Sequence, residues 1–432
     1  MAFVLPRAVT ERMLADLRAV EQAVRQGVRG VEELPDPADS MSFVDGSFVL
    51  EERRGCSIVL LSVYAATASH EGIRLLEGAV GSERPLLVPI VPREGARGRA
   101  SALMKLLEVT AAYRALLDHE PQAVVLDGAY PSFVYPATAA RVMYERLRRT
   151  LFSFDRKLGE AVCGWLTKQL TAAVSALSLN ATRPFDAVGE LLTTEYAFLD
   201  QMLNEVAERM PSEAEAALPV LINFAAMAFE DSAALRMLRC LLETAEERGV
   251  CICWVAKDAD SRYLFVETGG GVRRPVWVTD VALLDAAWRD FSFAYADAER
   301  LGGRLGALQN PGRGAFLYHT YPRRIFEDFL TDCKGGERWC KYPVYYTKLS
   351  LRGPVLQLTT PICFASGIER VIAALRLWVE SERGYPSPLV RVHHGAALSE
   401  NAARLLGIHL YQRCEEQVLK AVLAPTGRYV GL

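Results

Sequence analysis

The sequence predicts a mixed α/β protein in which a sheet-containing core carries a large helical insertion. Apolar strands and amphipathic helices alternate before residue 136 and again after residue 250, and a mostly helical stretch lies between them. Apolar residues make up 51% of the 432-residue chain, which is enough for a sizeable core. We therefore divide the chain into an N-terminal helical arm (1–40), a core (41–136 and 250–432) and a helical insertion (137–249).

The first elements follow from hydrophobic periodicity. A helix is predicted over residues 8–31, because Leu14, Leu17, Val20 and Val24 recur on one side. The first half of the core then contains, in order, strands at 42–50 and 56–68, a helix at 99–118 and a short buried strand at 122–127.

The second half of the core begins with five apolar runs that predict strands, at 250–257, 262–267, 314–320, 342–350 and 354–361. A helix near 366–382, a strand near 388–393 and a helix near 396–408 end the chain. The glycine-rich "ETGGGV" (267–272) lies between two strand-like runs and is typical of a hairpin.

Composition excludes several protein classes. A net charge of −3 does not demand nucleic acid or an acidic membrane as partner. Nine scattered cysteines without a CxxC pair disfavour a zinc ribbon and a disulfide framework. No signal-peptide pattern and no apolar stretch of about 18 residues occurs. We expect a cytoplasmic protein in a reducing compartment, with no membrane partner.

Two similar stretches, "SFVDGSFVL" (42–50) and "AVVLDGAYP" (123–131), place Asp45 and Asp127 after apolar residues. An unpaired buried carboxylate is costly, so the two acids suggest that something positive sits between them. Glu108 lies beside the buried face of the helix at 99–118, and His393 ends the strand predicted at 388–393. Alternation along that strand should point His394 away from His393.

Each of these residues has an ordinary structural explanation when taken alone. Asp-Gly-Ser usually forms a turn, a helix glutamate is usually solvated, and a single histidine is usually satisfied near the core. The joint pattern carries the functional interpretation. Hydrolysis of a phosphodiester by two divalent cations needs clustered oxygen ligands, and a late histidine suits Mn²⁺ better than Mg²⁺. The order aspartate, helix glutamate, aspartate and late ligand resembles that of RNase H-like nucleases.

A more specific resemblance is carried by an ordered set of motifs: "SFVDGSF", "MKLLEVTAAYRALL", "AVVLDGAY", "CWVAKDADSRYL", "VTDVALL", "YYTKL", "GPVLQLTTP" and "GYPSPLVRVHHGAALSENAARLL". In this order they resemble the NurA-domain nucleases. The resemblance implies an RNase H-like core and a metal-dependent deoxyribonuclease, acting as a 5′→3′ exonuclease and a single-strand endonuclease. It also implies Mn²⁺ as cofactor, with Mg²⁺ possible.

The resemblance further implies a ring-shaped homodimer that admits single-stranded DNA or frayed ends. Such a dimer works with a HerA-type hexameric ATPase in DNA end processing or defence. On the matched positions, the metal ligands are Asp45, Glu108, Asp127 and His393. Tyr385 joins them as a catalytic residue, and Lys257 and Tyr385 are expected to contact DNA.

Two other functions remain open from the sequence. An actin-like or sugar-kinase-like ATPase also places aspartate-glycine loops after strands, although the two loops here are only 82 residues apart (127 − 45) and no GxxxxGK[ST] motif occurs. A non-catalytic subunit that guides DNA to a motor is the third possibility, and retention of the acids and of Tyr385 and His393 speaks against it.

Overall fold

The computed structural model describes residues 7–76, 85–135, 138–177, 183–207, 217–267, 273–308, 338–380 and 384–426. The strands in these ranges are β1 (Ser40–Glu52), β2 (Ser57–Ser69), β3 (Gly72–Leu75), β4 (Leu86–Ile90), β5 (Ala123–Asp127), β6 (Cys251–Ala256), β7 (Phe265–Glu267), β8 (Arg273–Pro275), β9 (Ala294–Asp297), β10 (Gly306–Ala307), β11 (Lys341–Tyr342), β12 (Val344–Lys348) and β13 (Val355–Thr359). The α-helices are α1 (Arg7–Gly27), α2 (Ala96–His119), α3 (Tyr130–Val134), α4 (Thr138–Phe154), α5 (Arg156–Ala176), α6 (Pro184–Ala207), α7 (Leu218–Glu247), α8 (Asp280–Ala287), α9 (Ile368–Leu377), α10 (Ser387–Ala396), α11 (Glu400–Arg413) and α12 (Gln417–Leu423).

A mixed sheet forms the centre of the protein, in the order β3-β2-β1-β5-β6-β13-β12-β9, with β4 also paired to β2. The strands β1, β5 and β6 run parallel, and β2 lies antiparallel to β1 along all of its residues. On the other side of β6, β13, β12 and β9 continue the sheet with antiparallel pairs. The predicted mixed α/β fold class is confirmed.

Two long helices, α2 and α7, pack on each other beside the sheet. Helix α7 directly precedes β6, and parallel neighbours such as β5 and β6 need a crossover helix of this kind. By length and composition α7 could cross a membrane, but 83% of its apolar window is buried in the protein. Its apolarity therefore reflects its place in the core, although it lies within the segment assigned to the helical insertion (137–249).

A fully buried cluster of charged side chains joins the helical insertion (137–249) to the core. The Arg99 guanidinium on α2 donates to Glu195 of α6 (2.6 Å) and to Glu230 of α7 (2.9 Å). It also donates to the carbonyl oxygens of Val91 and Pro92. Burial raises the pKa of Glu195 well above its ordinary value, and the charge of Glu230 raises it further.

Only part of the apolar stripe of helix α1 is buried against the core. Val20 and Val24 are buried in the core, whereas Leu14 is 45% exposed. The helix contacts α8 and β7, and buried Asp16 accepts hydrogen bonds from the Arg274 side chain of β8 and from the Trp277 backbone N–H. The arm predicted over 1–40 thus packs against the core along the second half of α1.

The strand predicted at 388–393 is wrong, because these residues belong to helix α10. Leu389, Val392 and Ala396 are its buried side chains, and their spacing is helical. Pro388 at the start of the helix fits this position because its fixed φ is helical and its missing N–H is not needed there. His393 and His394 therefore lie in the last turn of a helix.

Other boundaries also differ from the sequence prediction. The helix expected at 366–382 begins as a 3-10 helix (Ile362–Gly367), continues as α9 and ends before Val379, which bridges to Pro386. Strands β7 and β8 pair as the predicted hairpin. The strand predicted at 314–320 falls outside the described residues.

The cysteines agree only partly with a reducing compartment. Seven described cysteines form no disulfide, and four of them are buried. Cys340 is disulfide-bonded. In the ranges that the structure describes, no cysteine belongs to a group able to hold a metal ion.

Candidate metal centre and nucleic-acid cleft

The two aspartates lie side by side at the carboxyl edge of the parallel strands. Val44 of β1 is in register with Leu126 of β5, so Asp45 and Asp127 follow as neighbours. Ligands of open α/β sheets bind at this edge. The aspartate-glycine pair at Asp45 is not a turn, because Asp45 and Gly46 lie inside β1 and pair with Tyr64 and Val63 of β2.

Helix α10 brings His393 to these aspartates. Its Nδ1 lies 2.9 Å from Oδ2 of Asp45, and the ligating atoms of Asp45, Asp127 and His393 all lie within 4.8 Å of one another. The helix packs on β1 and β2. A methyl group on Gly395 would lie 2.5–2.7 Å from ring carbons of Tyr64. Glycine at this position therefore sets how closely α10 approaches the sheet.

Glu108 lies next to this group but on the other side of β1. Side chains alternate along a strand, so Gly46 faces α2 while Asp45 faces α10. The Glu108 side chain fills the space at Gly46, where a methyl group would lie 2.7 Å from Cγ and Oε1 of the glutamate. Its carboxylate is 4% exposed and is not among the three residues whose ligating atoms converge. Its assignment as a metal ligand stays a prediction.

The electrostatics of the group favour a bound cation. Burial, and then the charge of Asp127, raises the pKa of Asp45 to about 6, although His393 opposes the shift. Burial is also the largest cause of the raised pKa of Glu108, followed by the charges of Asp45 and Asp127. Burial raises the pKa of Asp127 as well, and Lys257 partly offsets it. Two carboxylates and one imidazole form a donor set that fits Mn²⁺.

A cleft with a volume of ≈ 300 Å³ opens at the three residues. Tyr385 and Lys257 also line it, and the Lys257 Nζ lies 6.0 Å from the centroid of the Tyr385 ring. The remaining wall is mainly apolar and consists of Pro354, Leu389, Val390 and Val392, with His394 at its edge. The cleft thus combines a charged floor with an apolar side that suits a nucleobase or sugar.

The position of Tyr385 depends on the glycine before it. Gly384 has a φ of +63°, in the left-handed region that favours glycine. A methyl group there would lie 2.2 Å from the Cα of Gly353. The close contact of these two backbones seats Tyr385 at the cleft. Burial and the charges of Asp127 and Asp45 raise the pKa of its hydroxyl, which therefore stays protonated.

The sequence reasoning gave no role to one residue that lines the cleft and one acid that acts on it. His394 lines the cleft with its ring 6.0 Å from that of His393, contrary to the expectation that it points away. Asp258 raises the pKa of both Asp127 and Tyr385 through its charge. Helical periodicity over 387–396 would have indicated the first, and the adjacency of Asp258 to Lys257 would have indicated the second.

The chain is similar to a known domain family and to solved structures. Residues 39–398 match the model of the NurA domain. No curated protein matches the chain. A crystal structure of NurA has a TM-score of 0.57 and 15% identity, covering 96% of this chain and 98% of the other. A structure of NurA with manganese (0.55, 17%, 94% and 98%) and one of NurA bound to dAMP and manganese (0.54, 17%, 96% and 98%) are similar in fold.

Proposed function

This chain belongs to the NurA domain family, and from that premise we propose that it is a metal-dependent nuclease that hydrolyses DNA. One observation carries the proposal. Asp45, Asp127 and His393, which are far apart in the sequence, converge within 4.8 Å at the edge of a cleft. A structure of NurA that is similar in fold is bound to dAMP and manganese, which supports Mn²⁺ as the cofactor and a nucleotide as the ligand here. Mg²⁺ is the second candidate for the cofactor.

Each residue of the proposed site would have a distinct role in phosphodiester hydrolysis. Divalent cations, when bound, supply an activated water and stabilise the leaving oxygen of a phosphodiester. Asp45 and Asp127 would hold them through carboxylate oxygens, and His393 would add a nitrogen ligand. Glu108 adds negative charge from behind β1, and its assignment as a further ligand is part of the proposal.

The cleft walls would position the DNA strand. Lys257 is exposed at the cleft and suits a phosphate contact. Tyr385 suits stacking on a base, which is worth about 1–3 kcal/mol per base. We assign 5′→3′ exonuclease and single-strand endonuclease activities to this site by family resemblance.

Work on duplex DNA is proposed to require a HerA-type hexameric ATPase. Unpairing costs roughly 1.4 kcal/mol per base-pair step, and a site that admits single strands does not provide that energy. The sequence has no P-loop motif that would couple ATP hydrolysis to strand separation. A motor in the cytoplasm would supply it, during DNA end processing or defence. We propose α1 as a candidate docking element for the motor, through the region of Leu14, which is 45% exposed, whereas Val20 and Val24 are buried.

A homodimer is also part of the proposal. The apolar faces of α1 and of the helical insertion are largely covered within the chain. Large apolar side chains remain exposed on the last two helices, at Leu405, Leu406, Ile408, Val418 and Leu419. Light scattering at micromolar concentration should give twice the chain mass of 47.7 kDa; a mass near the monomer would contradict the dimer.

The alternative functions are less well supported by the geometry. The ATPase interpretation needs a phosphate loop at Asp45, yet Asp45 and Gly46 continue a paired strand. Strands β7 and β8, which flank the glycine-rich stretch in sequence, pair as a small sheet separate from the central one. The DNA-guiding interpretation does not account for converging metal ligands.

The experiment is degradation of a labelled single strand in EDTA and after addition of Mn²⁺, Mg²⁺ or Co²⁺. Cleavage should require metal, be fastest with Mn²⁺ and disappear in Asp45→Asn. The control is Asp200→Asn, which removes an exposed carboxylate on α6 and should cleave like wild type. Full activity in EDTA, or more than about a tenth of the wild-type rate in Asp45→Asn, a loss below about 1.4 kcal/mol, would reject the proposed site.

A further inference from the structure

A second surface outside the cleft carries arginine–aromatic pairs. Two guanidinium groups lie close to the Phe265 ring on β7, whose centroid is 5.6 Å from the Cζ of Arg273 and 5.1 Å from that of Arg304. Arg273 belongs to β8, and Arg304 lies in the loop after β9. We call Phe265, Arg273 and Arg304 the arginine–phenylalanine patch.

The two patch arginines are free to bind an anion. Both are exposed, and neither forms an ion pair with a carboxylate in the described ranges. Their neighbours behave differently, because Arg274 pairs with Asp16 and Arg300 pairs with Asp297. The Arg273 guanidinium donates instead to the carbonyl oxygen of Gly302, which fixes the loop against the hairpin.

Stacking on Phe265 prepares these guanidinium groups for phosphate. A guanidinium held over an aromatic ring has lost part of its conformational freedom, and its planar donors match phosphate oxygens. A similar pair joins α1 to the segment after β8, where the Cζ of Arg12 is 5.7 Å from the ring of Trp277. The Trp277 side chain is 52% exposed and offers a stacking surface for a base.

The patch is connected to the cleft by a short aromatic chain. The backbone N–H of Arg304 donates to the carbonyl of Tyr263 (3.1 Å). The ring of Tyr263 is 6.1 Å from that of Tyr342, which is 5.8 Å from that of Tyr130. Tyr130 begins α3, three residues after Asp127. Tyr130 and Tyr342 are buried, so this chain fixes the position of the patch from inside the protein. Phe265 follows the cleft residue Lys257 by eight residues (265 − 257), so their Cα atoms are at most about 29 Å apart, a distance that a strand of several nucleotides can span.

We propose that the arginine–phenylalanine patch binds the phosphodiester backbone of the single DNA strand whose end occupies the cleft. This inference rests on the proposed nuclease function. It predicts a second anchoring point, so that long strands bind more tightly than fragments that fill the cleft alone.

The test compares R273A/R304A with R156A/R183A, a charge-matched control on exposed arginines of the helical segment. Binding of a 20-nucleotide single strand is measured in EDTA by fluorescence anisotropy over a range of salt concentrations. The patch variant should bind about tenfold more weakly at low salt, and its slope of log K against log salt should fall by roughly 1.4, since each phosphate contact on a single strand contributes about 0.7. The control should keep the wild-type slope.

Cleavage of strands of two lengths provides the second readout. With Mn²⁺, the patch variant should cleave a trinucleotide at the wild-type rate and a 20-nucleotide strand at a reduced kcat/KM. R273Q/R304Q, which keeps the side-chain stems near Phe265, should show the same loss and guards against an effect of altered folding.

Equal salt slopes in the patch and control variants would overturn the inference, as would equal losses on both substrate lengths. If polyglutamate competed with the labelled strand better than unlabelled DNA does, the inference would also be overturned. That result would indicate an acidic protein as the partner of the patch. Failure of the proposed function looks different, because the wild-type protein would then lack metal-dependent cleavage while the binding comparison in EDTA could still be made.

Discussion

Gly46→Ala tests why glycine follows Asp45 inside a strand. The residue is paired with Val63 in the middle of β1, so neither a turn nor an unusual φ requires glycine. The new methyl group would lie 2.7 Å from Cγ and Oε1 of Glu108 and 3.0 Å from its Cδ. Glu108 is 4% exposed and packed between α2 and the sheet, so it has little room to withdraw.

The expected magnitude combines two opposing effects. Overpacking a buried site costs typically about 1–3 kcal/mol. Replacing glycine by alanine in a strand interior returns about 0.5–1 kcal/mol, because the unfolded chain loses less conformational freedom on folding. The net destabilisation should therefore fall within roughly 0–2.5 kcal/mol, with a midpoint of about 1.25 kcal/mol. DNA cleavage should fall as well, since the displaced Glu108 carboxylate lies beside Asp45.

A double-mutant cycle in urea isolates the clash. Glu108→Ala removes every atom within 3.0 Å of the new methyl group, so Gly46→Ala should cost nothing in that background and should stabilise slightly. Gly189→Ala is the control, because a methyl group at this helical position meets nothing within 4 Å and should be stabilising. If Gly46→Ala destabilised the protein equally with and without the Glu108 side chain, the reasoning would be refuted.

Three further predictions concern the metal centre and the core. Without metal, the pKa of Asp45 is about 6 in the folded state against 3.8 ordinarily, so the folded state retains a proton that the unfolded chain releases. The free energy of unfolding should therefore fall as pH rises from about 4 to about 6. Asp45→Asn should reduce this fall, as measured by urea titrations at several pH values. Arg99→Met leaves Glu195 and Glu230 buried without a counter-charge and should cost about 3–5 kcal/mol in the same titrations, whereas a loss below about 1 kcal/mol would contradict the role of the cluster. Gly395→Ala should push α10 off Tyr64, move His393 and weaken Mn²⁺ binding about tenfold by calorimetry, and unchanged affinity would show that the helix position does not depend on that glycine.

Local sequence was sufficient for much of the core. The strands around Asp45 and Asp127 were predictable because each is an apolar run, and the buried face of α2 was predictable because Leu103, Leu106 and Leu107 recur at helical spacing. The two aspartates could be singled out because carboxylates that follow apolar strands need a compensating charge. These inferences depend only on residues close together in the chain, and the structure agrees with them.

The tertiary structure decided the features that depend on distant partners. A short apolar run such as "SPLVRVHHGA" is compatible with strand or helix, and packing on β1 and β2 selects the helix that carries His393. Asp-Gly-Ser usually forms a turn, but pairing with β2 keeps Asp45 and Gly46 within a long strand, where the missing side chain makes room for Glu108. The sequence by itself determined which residue types could form a metal centre. Only the folded chain determined that Asp45, Asp127 and His393 meet, because their approach depends on strand register across 82 residues (127 − 45) and on helix packing across 348 residues.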